Sequence, residues 1–172
     1  MPAGNTYEEI ATSTLSSPAL SVNFTSIPQT YTDLVVVGSN LFSASGTPNL
    51  RILFNTDTAS NYSVVVLEGN GVAPYGVRQA SISGIDFGYY TSLYPTSSST
   101  APNNAIINVM QYTNTAINKT VLARVNTSYS GMSANAGLWR STAAITSIRL
   151  SNSSAVNFTT GSTFSLYGIK AA

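Results

Sequence analysis

Hydrophobicity along this 172-residue chain alternates with a period of two, and no window carries the three-and-four spacing of a helical stripe. In residues 21–25, Val22 and Phe24 fall on one side; in 50–54, Leu50, Ile52 and Phe54 do. Residues 120–125 put Val121, Ala123 and Val125 on one face. Residues 145–150 turn Ile148 and Leu150 inward and Arg149 outward, and 162–169 set Phe164 and Leu166 against Ser165 and Tyr167. Residues 105–112 carry Ile107 and Val109 on one face and Ile106, Met110 and Tyr112 on the other. Residues 33–38 and 62–67 are apolar almost throughout, and the first reads as a strand buried on both faces. Turn clusters separate these runs, among them Ser45-Gly46-Thr47-Pro48-Asn49, Glu68-Gly69-Asn70-Gly71, Ser83-Gly84 and Ser130-Gly131. Eight or more short strands in a chain of one-domain length predict an all-β antiparallel sandwich of jelly-roll type. Residues 1–12, with Glu8 and Glu9 adjacent and little alternation, are expected to form an N-terminal arm, and 13–172 a single domain.

Composition then narrows the chemistry. His and Cys are absent, which removes disulfides, thiolate nucleophiles, Cys/His zinc sites and any triad with a histidine base. Charged residues make up 8%, and seven basic against six acidic groups leave a net charge of +1. Binding to nucleic acid by phosphate neutralisation is not expected from so few, scattered cations. The longest apolar run, Leu34-Val35-Val36-Val37, is far shorter than the ~20 residues of a membrane span. No cofactor or metal is expected, and the chain does not read as an enzyme.

The six carboxylates are Glu8, Glu9, Asp33, Asp57, Glu68 and Asp86. A glycosidase would need two of them facing each other at a defined separation, and Asp57 and Glu68 are the pair that two loops could bring together. The plainer reading is that both are turn residues, with Asp57 bonding its own backbone. Trp139 reads as a core anchor with its indole N–H bonded. Tyr89, Tyr90 and Tyr94 cluster in sequence beside Ser and Asn, which suits either a sugar-binding face or a contact between subunits. With only Lys119 and Lys170 as lysines and prolines mostly in loops, the strand edges lack their usual charged protection. Other copies or a larger assembly are therefore expected to cover them.

Several stretches are similar to a family of tailed-bacteriophage virion proteins. They are Tyr7-Glu8-Glu9-Ile10-Ala11-Thr12 followed by Leu15-Ser16-Ser17, the stretch from Val22 to Leu34, and Phe54-Asn55-Thr56-Asp57-Thr58-Ala59-Ser60-Asn61-Tyr62-Ser63. To these are added Leu138-Trp139-Arg140-Ser141-Thr142-Ala143-Ala144-Ile145-Thr146-Ser147-Ile148 and the ending from Phe158 to Ile169. The family usually has glycine where this chain has Thr56 and Ala59. The resemblance runs from about Tyr7 to Ile169, and its motifs are specific as a set. It implies a virion structural protein with a β-sandwich body. The favoured role is a capsid cement or decoration protein, a homo-oligomer (trimer favoured) on the outer capsid surface. The arm residues Tyr7, Glu8, Glu9 and Ile10 would contact the major capsid protein or other virion proteins. The alternative is a tail-fibre or receptor-binding module that recognises host surface glycan, with Tyr89, Tyr90 and Tyr94 as the contact.

Overall fold

A computed structural model of the chain describes residues 6–88, 92–97, 100–127 and 129–170. Twelve strands are present: β1 (Tyr7–Thr14), β2 (Ser21–Phe24), β3 (Asp33–Leu41), β4 (Leu50–Phe54), β5 (Tyr62–Gly69), β6 (Pro74–Ile82), β7 (Ile85–Phe87), β8 (Asn103–Met110), β9 (Lys119–Thr127), β10 (Gly131–Trp139), β11 (Ile148–Asn152) and β12 (Thr163–Ile169). They form an eight-stranded sheet, β1-β12-β3-β8-β9-β10-β5-β6, and a four-stranded sheet, β2-β11-β4-β7. Every named strand pairing is antiparallel. If the meander β8–β9–β10 is counted as one unit, the sheets read β2-β11-β4-β7 and β3-(β8–β10)-β5-β6. That is the strand order of a jelly roll, with β12 and β1 added beside β3.

The alternation read in the sequence is the burial pattern of the sheets. β9 runs buried and exposed in strict turn, and Val121, Ala123 and Val125 face inward. Val22, Phe24, Leu50, Ile52, Phe54, Ile148, Leu150, Phe164 and Leu166 join them in one core between the sheets. Each side chain of this size contributes about 1.5–3 kcal/mol when fully buried. Four strands cannot roof eight, so connecting segments complete the layer with Ile27, Leu93, Ile145 and Phe158. Tyr31 roofs β12 at Gly168, where a Cβ would stand 2.3 Å from the ring. The apolar run 33–38 is a central strand with Leu34, Val35 and Val36 all buried.

Two expectations need correction. Residues 7–12 are part of a paired strand rather than a free arm. β1 runs along β12 from Tyr7 opposite Ile169 to Thr14 opposite Thr163. A bulge between Glu9 and Ala11 breaks the alternation, so that Ile10 and Ala11 both pack against the core, and this hides the strand in the sequence. Tyr112 does not share the outer face with Ile106. β8 ends at Met110, Gln111 takes a left-handed φ of 46°, and the chain turns Tyr112 fully inward to donate its hydroxyl to the Pro28 carbonyl.

Candidate functional site

Asp57 closes a tight turn, its Oδ1 accepting the Ala59 N–H at 2.8 Å. Its Oδ2 accepts Asn61 Nδ2 at 3.0 Å and the indole Nε1–H of Trp139 at 2.8 Å. These bonds, from Asn61 and then Trp139, hold the Asp57 carboxyl below its ordinary pKa. Asp57 and Glu68 lie at opposite ends of β5. Tyr62 at its start bonds the Asp57 carbonyl, while Glu68 sits six residues further on, roughly 20 Å away along the strand. A glycosidase pair stands within about 9.5 Å, so these two do not form one. Asp86 makes a bidentate pair with Arg51 across β4 and β7, at 2.6 and 2.7 Å. Asp33 accepts the Gln111 N–H at 2.6 Å. Among the described residues no group of three His, Cys, Asp or Glu side chains could hold a metal.

The residues expected to reach a capsid divide. Glu8 is used inside the molecule: Lys170 Nζ donates to it at 2.6 Å and the Tyr31 hydroxyl at 3.1 Å. Lys170 above all, with Tyr31, holds the Glu8 carboxyl below its usual range. Ile10 packs on the core. Tyr7 and Glu9 face solvent. Of the three tyrosines, Tyr89 and Tyr90 lie outside the described residues. Tyr94 is half-buried, with its ring edge-on to exposed Tyr129 at 4.8 Å between centroids. Tyr129 borders a hollow of about 400 Å³ that it shares with Asn70, Asn126, Ser130 and Met132.

The feature that stands out is the outer face of the eight-stranded sheet. A strand solvated on one side normally alternates apolar-in with polar-out. Here the outward positions hold Val65, Leu67, Ile106, Leu122 and Met132, each between 41% and 62% exposed. Strand registers make them neighbours. One row across the sheet reads Glu9, Tyr167, Val35, Asn108, Leu122, Ala136, Val65, Arg78. The next reads Thr12, Ser165, Val37, Ile106, Arg124, Ala134, Leu67, Gly76. Small Ala134 and Ala136 between larger side chains leave a groove of about 440 Å³. It adjoins a trough of about 540 Å³ running from Met110 to Arg78. Contiguous apolar surface of this kind marks an interaction site. The signal was present in the sequence: Val64-Val65-Val66-Leu67 and Ile106-Ile107 are places where alternation lapses although the strand has one face in water.

No family model matches the chain, and no curated protein is similar to it.

Proposed function

We propose that this chain is a structural protein of a tailed-bacteriophage virion, placed on the outer capsid surface as a cement protein. The observation that carries this reading is the outer face of the large sheet, with its large apolar side chains and few charges. Such a surface works by being covered. Each bound copy stabilises a shell by mass action, by about 2.7 kcal/mol per site at a concentration a hundred times Kd. Tyr7, at the exposed start of the edge strand β1, is the remaining candidate among the expected contact residues for direct contact with the major capsid protein. The test is co-sedimentation of the purified protein with capsids that lack it. Saturable binding and a raised shell melting temperature are expected, with copies per particle on the order of hundreds by quantitative mass spectrometry. No binding, or a copy number near a dozen, would sink the cement role.

A tail-fibre module that recognises glycan is the second reading, and one observation favours it. The exposed Tyr129 ring, braced edge-on by Tyr94, lies beside the amides of Asn70 and Asn126 in an open hollow. Aromatic rings stack on the C–H faces of sugars while amides bond their hydroxyls. Titration with host surface polysaccharide, repeated with Tyr129→Ala, decides between the two: a saturable signal lost in the variant favours the tail.

A further inference from the structure

We propose that the outer face of the eight-stranded sheet is covered by a second copy of this chain, packed face to face with its strand order reversed. The inference rests on reading that face as an assembly surface, and it names the partner.

Arg51, Asp57, Asp86, Asp33, Glu8, Lys119, Arg140 and Lys170 are all bonded within the molecule. Glu9, Arg78 and Arg124 on the outer face, and Arg149 on the four-stranded sheet, have no partner among the described residues. Glu9 and Arg78 occupy the two ends of one row, seven strand spacings or about 34 Å apart in a flat sheet. No second charge stands between them in that row. The face is therefore acidic at the β1 edge and basic at the β6 edge, and a copy with reversed strand order presents the opposite charge at each end.

Shape agrees with charge. A two-fold axis parallel to the strands sets Glu9 of one copy opposite Arg78 of the other and Tyr167 opposite Val65. It also sets Val35 opposite Ala136 and Asn108 opposite Leu122, so that large side chains meet small or medium ones. Aligned packing of two sheets at about 10 Å needs such interdigitation. Eight strands of seven to nine residues, edge strands included, offer on the order of 1,000 Å² in projection. One partner in a stable interface contributes about 800 Å². An isologous contact of this kind closes on itself and does not grow into fibres.

Arg124 makes the arrangement specific. It lies near the middle of the adjacent row, where the two-fold brings it close to its own counterpart. Its removal should tighten the contact, whereas an acidic partner on this face would need it.

The test is sedimentation equilibrium of the full chain alone. The expected mass is twice 18.0 kDa at micromolar concentration. Leu122→Asp should weaken association by more than about a hundredfold. Glu9→Arg and Arg78→Glu should each weaken it roughly fivefold, and the double variant should regain the loss. Arg124→Leu should tighten it. All four positions are solvent-facing, and an unchanged circular dichroism spectrum confirms that each variant folds. A monomer at about 100 µM, an oligomer indifferent to Leu122→Asp, or weaker association in Arg124→Leu would overturn the proposal. No shell is present in this measurement, so its failure leaves the cement role standing. Failure of shell binding, in turn, leaves the contact between copies standing.

Discussion

The corner around Trp139 and the outer face of the large sheet are built by the same strands, yet they end in opposite states. At the corner, Trp139, Phe54 and Tyr62 pack as a cluster with centroids 5.6–6.3 Å apart. Polar groups there find partners: the indole bonds Asp57, and the Tyr62 hydroxyl bonds the Phe54 backbone and the Asp57 carbonyl. Burial pushes the Tyr62 phenol up to about 12. Beside Trp139 in the register, fully buried Lys119 donates to the carbonyls of Asn114, Ile117 and Thr142 at 2.6, 2.9 and 3.1 Å. On the other face of β5 and β9, Leu67 and Leu122 stand in water, and Arg78 and Arg124 have no partner among the described residues. The first region completes its bonding inside the chain. The second leaves apolar side chains and two guanidinium groups facing solvent. Stability should therefore respond to substitution at the corner, and association to substitution on the face.

The largest expected effect is at the centre of the corner. Trp139→Ala removes a buried aromatic and strips Asp57 of a donor. It should cost about 3–5 kcal/mol in urea unfolding. Trp139→Phe keeps most of the packing and isolates the lost N–H bond. If Trp139→Ala unfolded no more easily than Leu122→Ala, the contrast between the two regions would collapse.

Lys119→Met comes next. It fills the same space but leaves three carbonyls without their donor, a loss of roughly 2–4 kcal/mol. Burial lowers the lysine pKa in the folded protein. A norleucine-like side chain is thus easier to bury than the ammonium, and the unsatisfied carbonyls decide the sign. A Lys119→Met protein as stable as the parent would mean that water reaches those carbonyls.

Asp57→Asn tests the same corner more gently, at about 1–3 kcal/mol. Its signature is the pH dependence. The folded pKa lies below the ordinary 3.8, so between the two values the unfolded chain holds the proton and the folded chain does not. The contribution is complete above about 3.9 and is lost as pH falls through the folded value. Melting profiles from pH 6 to 2 should fall in the parent and flatten over that window in Asp57→Asn. Parallel profiles would show that the carboxylate is not held as the geometry requires.

These positions also show how far the sequence could be read. Inward residues such as Val121, Ile148 and Phe164 were legible because period two records which side of a strand faces apolar matter. The Asp57 turn and the Trp139 anchor were legible separately, but their bond was not. It joins residues 82 apart in sequence, through a strand pairing that no local pattern specifies. The bulge at Glu9 and Ala11 removed the alternation that would have revealed β1. At Thr56 the chain keeps a left-handed φ of 59° without glycine; Asp57 signals the turn, but a threonine gives no sign of that backbone conformation. The outer face was half-legible. Runs such as Val64-Val65-Val66-Leu67 suggest burial on both faces, and only the architecture reveals that, among the described residues, no third layer buries the second.

The smallest expected change in fold stability, and the sharpest test of the contrast, belongs to Leu67→Thr and Leu122→Thr. Both side chains are more than half exposed in the single chain. Threonine suits a strand, so the dilute protein should unfold within about 0.5 kcal/mol of the parent. The parent should nevertheless behave differently with concentration. If copies cover each other's outer faces, its melting temperature rises as protein is added, because association draws on the folded state alone. In the double variant that rise should vanish while the low-concentration value stays in place. A parent whose melting temperature ignores concentration from about 1 to 100 µM would show the face to be bare in solution.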